Sequence, residues 1–211
     1  MKRYLILLVF LIILSATKAQ TPLRVYYKSI INGKEIQGVS QPVIESNGVT
    51  VLISSTQGQN EKAQMPSPQQ SSFIDLAGMR YVQMADMPDG SRISTKTPFS
   101  ELPVAELSND SEVIAGYRCI RARIIYFSNT IDIWYTSEAG VAGTPVPSYG
   151  VPEGLVLRIV RNGNNITEAD RVEVIKRKDM NIALPENLGR SVDKMTFEHL
   201  LREAFVTTVT V

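Results

Sequence analysis

The chain holds one cysteine and one histidine among 211 residues, so its nucleophiles and bases are few. Cys119 as a nucleophile needs a partner base, and the only histidine, His199, lies far off in sequence on an expected helix. A serine triad would have to use the same histidine, and no Gly-x-Ser-x-Gly elbow occurs. One His and one Cys cannot make a structural zinc site. The carboxylates are scattered without the spacing of a calcium loop. Gly33, Gly38 and Gly48 are isolated, unlike the glycine-rich turn that cradles a phosphate. The expectation is no cofactor, no metal and no catalytic residue.

One local set remains. Asp132 and Glu138 flank Trp134 and Tyr135. Paired carboxylates hydrolyse glycosidic bonds, but a solvated strand face is the plainer reading of these two. Trp134, Tyr135 and Tyr149 offer aromatic faces, which bind sugars and apolar ligands by stacking and burial. Arg121 and Arg123 carry guanidinium groups suited to a carboxylate or phosphate, although a cross-strand pair with Asp132 competes for them. These five residues form the candidate ligand-binding set.

The elements that must position them read mostly as β. Leu23–Ile30 is rich in β-branched and aromatic residues and ends at an Asn32-Gly33 turn. A second strand spans Val49–Ser54. Residues 57–70 are Gln/Pro/Ser-rich and read as a surface loop. Ser72–Asp75 and Met79–Met84 form a hairpin around Ala77-Gly78, and Pro88-Asp89-Gly90 is another turn. Two prolines break residues 98–107 into an irregular connection. Around Trp134, Ile120–Phe127 and Ile131–Thr136 alternate with period two and should pair antiparallel through a turn at Ser128-Asn129-Thr130. Cys119 falls in this region and reads as a small buried hydrophobe. Gly140–Gly154 is a Gly/Pro-rich loop, followed by strands at Leu155–Val160 and Arg171–Lys176. The helix begins at Thr196 as N-cap, with Phe197, Leu200, Leu201 and Ala204 on one apolar face and Met195 stapled on Leu200. Phe205–Val211 then reads as a β-prone tail in need of a partner edge. The fold class is mainly β, a single curved antiparallel sheet (a bowl or half-barrel) with a C-terminal α-helix.

Residues 1–19 have the pattern of a secretory signal. Lys2 and Arg3 precede an apolar run from Tyr4 to Leu14, and Thr17 and Ala19 suit a cut before Gln20. The run is shorter than the roughly 20 residues a spanning helix needs. Cleavage leaves 19 basic against 21 acidic residues, a formal charge of −2. That mixed surface argues against a nucleic-acid binder or a membrane-surface protein. The organisation expected is a signal at 1–19, one β-rich domain at 20–205, and at 206–211 the start of a strand or linker toward a further domain.

The segment Gly116-Tyr117-Arg118-Cys119, followed by Trp134-Tyr135-Thr136 and Gly150-Val151-Pro152-Glu153-Gly154-Leu155-Val156, resembles the exported Bacteroidetes proteins named for their GLPGLI motif. Glu153 between the proline and the second glycine departs from the plain motif. With Gly143–Ser148 before it and Leu157–Gly163 after it, the segment is similar to the N-terminal, bowl-like accessory domain of Bacteroidetes peptide:N-glycosidase F-type enzymes. The resemblance runs from about Ser72 to Gly163. It implies a parent amidase that releases N-glycans from asparagine with a separate pair of β-sandwich domains, either downstream or on another chain, and N-glycoprotein as substrate. No position here matches a catalytic residue of that family, so it implies a non-catalytic module. The alternative it leaves open is a stand-alone GLPGLI-like periplasmic protein holding an apolar or envelope ligand.

Overall fold

A computed structural model describes residues 21–56, 68–150, 153–180 and 182–209, the last five by backbone alone. The signal at 1–19, most of the 57–70 loop, Val151-Pro152 of the motif and the final Thr210-Val211 lie outside the described residues.

Thirteen strands among these residues form one sheet. In chain order they are β1 (Leu23–Ile31), β2 (Lys34–Glu35), β3 (Pro42–Ser46), β4 (Thr50–Ser55), β5 (Gln69–Asp75), β6 (Arg80–Asp86), β7 (Arg92–Pro98), β8 (Glu106–Ile114), β9 (Tyr117–Tyr126), β10 (Asn129–Thr136), β11 (Leu155–Arg161), β12 (Asn165–Val174) and β13 (Arg190–Ser191). The spatial order is β13-β7-β6-β5-β4-β3-β1-β12-β11-β10-β9-β8, with β2 attached to β1. Every pairing is antiparallel except that of β7 with β13. The strand β1 sits mid-sheet because it pairs with β3 on one side and with the late strand β12 on the other.

Curvature follows from connectivity. From β7 to β8 along the sheet is ten strand spacings, about 50 Å if the sheet were flat. Yet residues 99–105 alone join the two strands, and seven extended residues reach about 25 Å. The sheet must therefore curl until its two ends approach, which makes the open, bowl-like surface. A short 3-10 turn at Phe99–Glu101 starts that connector.

The main core packs Val25, Ile44, Val51, Ile74, Leu155 and Leu157, all buried. Cys119 is buried there too, as expected. A second core joins Ile124, Ile131, Ile133, Val156 and Ile159. Both sides of β11 are thus covered near its start, and a bulge between Trp134 and Tyr135 marks where the neighbouring β10 shifts register. Period-two reasoning alone placed Ile120 with Ala122 and Ile124 on a covered face. Ile120 is instead exposed while Cys119 is buried, because only the far end of β9 lies under the second core.

Helix α1 (Lys194–Val209) lays Phe197, Leu200 and Leu201 against Ala85 and Ile93. Its cap is Asp193, not Thr196. The Asp193 carboxylate accepts the Thr196 backbone N–H at 2.9 Å and its hydroxyl at 2.6 Å. The side chain of Met195 is exposed within the first turn, so the expected staple on Leu200 does not form. The backbone stays helical through Val209, so residues 205–209, read as strand, are helix. Propagation from a capped nucleus with a docked face outweighs a local β preference. The strands β3 and β7 were missed, since neither carries a long apolar alternation.

Candidate functional site

The five candidate residues divide between two environments. Trp134 packs against the main core, while Tyr135 and Tyr149 pack against the second.

Trp134 stands in a row of cross-strand neighbours. Arg121 faces it from β9 and Arg158 from β11. The row continues through Glu168 of β12 to Lys28 of β1. Arg121 lies 6.0 Å over the indole and pairs with Asp110. Its Nε is buried without a hydrogen-bond partner. Arg123 grips Asp132 through two bonds of 2.6 and 2.8 Å, the cross-strand pair that competed with ligand binding. Arg158 joins Glu168 at 2.5 Å and Glu112 at 2.7 Å. Both arginines of the candidate set thus already hold carboxylates. Glu138 is engaged elsewhere and accepts the Arg118 backbone N–H at 3.2 Å. Asp132 and Glu138 are therefore taken up separately by the scaffold.

Tyr135 and Tyr149 line a cleft of about 440 Å³ together with Ala122, Ile133 and Gly150. Its far wall is the connector between β7 and β8, through Phe99, Leu102 and Pro103. At the rim Val104 is 91% exposed and Leu107 71%. Glu153 supplies the one acidic group of the lining. Burial first, then the nearby Glu153 charge, raises the Tyr135 phenol above its ordinary pKa, so Tyr135 remains a neutral hydrogen-bond donor.

The motif glycines shape this cleft. A Cβ on Gly150 would lie 2.9 Å from the Pro103 carbonyl oxygen, and the residue holds φ +101°. A Cβ on Gly154 would lie 2.5 Å from the Thr136 carbonyl oxygen and 2.9 Å from the Tyr135 ring. Glycine at both places lets the 140–154 loop lie directly on the connector and on β10. The loop is held by the Gly143 N–H to Gly154 and the Val156 N–H to Gly143, at 3.1 and 2.8 Å. The connector is the part of the cleft that residue-type reasoning does not single out. The prolines at 98 and 103 were visible as breakers, but not what they would cover.

Among the described residues no three His, Cys, Asp or Glu side chains come together as a metal site. Burial pushes the Cys119 thiol up to about 11, which is the opposite of an activated nucleophile. The arrangement is suited to holding an apolar or aromatic group.

Comparison with known proteins agrees with the architecture. Two crystal structures of PNGF-II share the fold. One, in space group P21, superposes with a TM-score of 0.73 at 24% identity and covers 87% of this chain and 34% of that one. The other, in C2, gives 0.72 at 25% identity over 87% and 33%. This chain thus spans about a third of the length of the solved structures it matches. No curated protein matches it. The model of the N-glycanase peptide N-terminal domain, PNGase F-II type, matches residues 25–199. That stretch contains the whole sheet from Val25 onward, both motif glycines and the start of α1, and the chain belongs to this N-terminal domain family.

Proposed function

We infer that this chain is a non-catalytic N-terminal accessory module of a peptide:N-glycosidase F-type enzyme, whose amide hydrolysis resides in β-sandwich domains on the same polypeptide or on a separate chain. The observation that carries the reading is the family match over residues 25–199, together with the third of PNGF-II that the fold accounts for. N-glycoprotein is then the substrate of the assembled enzyme. The residue pattern of 1–19 supports export to the periplasm, outer surface or medium of a Bacteroidetes cell.

The test is glycan release from a denatured N-glycoprotein. The purified chain alone is expected to release nothing. The two-thirds of PNGF-II outside the matched region should gain activity when this chain is fused to it or added in trans. Release by the chain alone would overturn the reading.

A second reading is favoured by the exposed Val104 and Leu107 beside the Tyr135–Tyr149 cleft. In it the protein is a stand-alone GLPGLI-like periplasmic binder of an apolar or envelope ligand. Saturable binding of a fluorescent apolar probe, with no effect on the remainder of PNGF-II, would support it over the first.

A further inference from the structure

A second cleft, of about 500 Å³, opens on the other side of the same connector, and Leu102 and Pro103 wall both. It is built from the two ends of the sheet. Thr95 and Thr97 come from β7, Tyr126 from the end of β9, Ser148 from the 140–154 loop and Ser191 from β13.

Its lining is unusual in kind. The hydroxyl groups of these five residues make no hydrogen bond within the described chain, although the Tyr81 hydroxyl in the same cleft is held by Ser72 at 3.2 Å. Thr95 is only 2% exposed, yet its hydroxyl is not one of the fully buried unpaired atoms, so what little of the residue is open faces the cleft. Hydroxyls both donate and accept. Five of them converging on one space match a ligand that also does both at many points. The charged residues balance: Lys96 and Lys194 against Glu101 and Asp193. That lining offers no excess charge to a phosphate or a carboxylate. The Tyr126 ring is fixed by edge-to-face contacts with Phe127 and Tyr149, at 4.7 and 6.1 Å between centroids. A fixed aromatic ring beside hydroxyls suits a saccharide, which has apolar C–H faces and polar edges.

We propose that this hydroxyl-lined cleft binds a neutral oligosaccharide, the glycan portion of the substrate. The proposal rests on the reading of the chain as a glycan-releasing enzyme's module and names what the module holds.

The experiment uses the purified chain and two probes: the free high-mannose oligosaccharide released from an N-glycoprotein, and the matching unglycosylated peptide. Binding is followed by NMR shifts and by titration calorimetry. The expected result is saturable binding of the oligosaccharide, with shifts centred on Thr95, Thr97, Tyr126 and Ser148. The T95V/T97V double variant, which keeps shape but removes two hydroxyls, should weaken it about tenfold or more. S148A is a milder second variant, should the first not fold, and should weaken it several-fold. Absence of saturable oligosaccharide binding, equal affinity in the variants, or binding of the peptide alone at these residues would overturn the proposal. If the chain still raises glycan release by the remainder of PNGF-II while failing this titration, the accessory reading stands and the cleft proposal falls.

Discussion

Tyr27 donates its buried hydroxyl to the carbonyl oxygen of Val156 at 2.6 Å, across 129 residues of sequence. The bond ties the first long strand to the strand that leaves the Gly150–Gly154 motif. Burial raises the Tyr27 phenol well above its ordinary pKa, so it stays a donor at all ordinary pH. Tyr27→Phe leaves the ring and removes the donor. We expect a loss of about 1–2 kcal/mol of stability, read as a lower urea midpoint with an unchanged slope.

Gly154→Ala places a methyl group against the Thr136 carbonyl and the Tyr135 ring. The Thr136 carbonyl cannot retreat, because Thr136 is buried and paired with Leu155 in the ladder. The substitution should cost about 1–3 kcal/mol and displace Tyr135, weakening any probe bound in the Tyr135–Tyr149 cleft. Thermal unfolding together with apolar-probe titration checks both effects. Gly33→Ala meets open space at φ +76° and should cost stability without touching the probe.

The β9–β10 turn is two residues, Phe127-Ser128, and Phe127 adopts φ +53°. A bulky side chain there is strained, whereas asparagine tolerates the left-handed region. Phe127 is largely exposed. Phe127→Asn is therefore expected to raise stability by about 0.5–1 kcal/mol, and a lowered melting temperature would count against the strain argument.

Cys119 should resist alkylation. With its thiol at about 11, the thiolate fraction at pH 8 is about one in a thousand, against roughly a quarter in an unfolded chain. Native protein should remain unlabelled by iodoacetamide at pH 8, and unfolded protein should react fully. The linkage has a definite sign. The native state keeps this proton up to about 11, while the unfolded state releases it from about 8.5. Stability thus falls as pH rises through that window, and Cys119→Ala should flatten the alkaline limb.

Asp193 works in the opposite direction. The Thr196 hydroxyl, then its backbone N–H, holds the Asp193 carboxyl below the ordinary carboxylate value. Its stabilisation of α1 is present above about pH 4 and fades as pH falls through the lowered native value. Hydrogen exchange should show α1 opening first on acidification. Asp193→Asn, still a good cap, should blunt that pH dependence.

Much of the sheet was legible because half-covered antiparallel strands alternate with period two. Ile131–Thr136, the Asn32-Gly33 turn and the Arg123–Asp132 pair all follow from that rule. The β9–β10 turn was misplaced toward Ser128–Thr130 because Phe127 is not a residue that announces a left-handed turn. The tail was misread because Thr and Val favour strands in isolation, and nothing in residues 205–209 shows that a capped, docked helix precedes them. The candidate site was half legible. Tyr135 and Tyr149 meet in one cleft, but Trp134 packs on the main core because consecutive strand residues face opposite sides of the sheet. Sequence spacing carries no sign of the connector that walls both clefts, since its position depends on the curl of the whole sheet.

The placement of β1 between β3 and β12 has a temporal consequence. During synthesis β1 is among the earliest strands made, yet Leu23 pairs with Val174, near the end of the sheet. One edge of β1 can zip to β3 at once, while the other stays open until most of the domain exists. Closing so long a loop costs entropy before any contact repays it, and such high contact order slows folding. The half-built sheet presents an unpaired edge to its neighbours during that interval. Productive folding of this module therefore depends on keeping nascent chains apart, and its yield should fall with protein concentration during refolding.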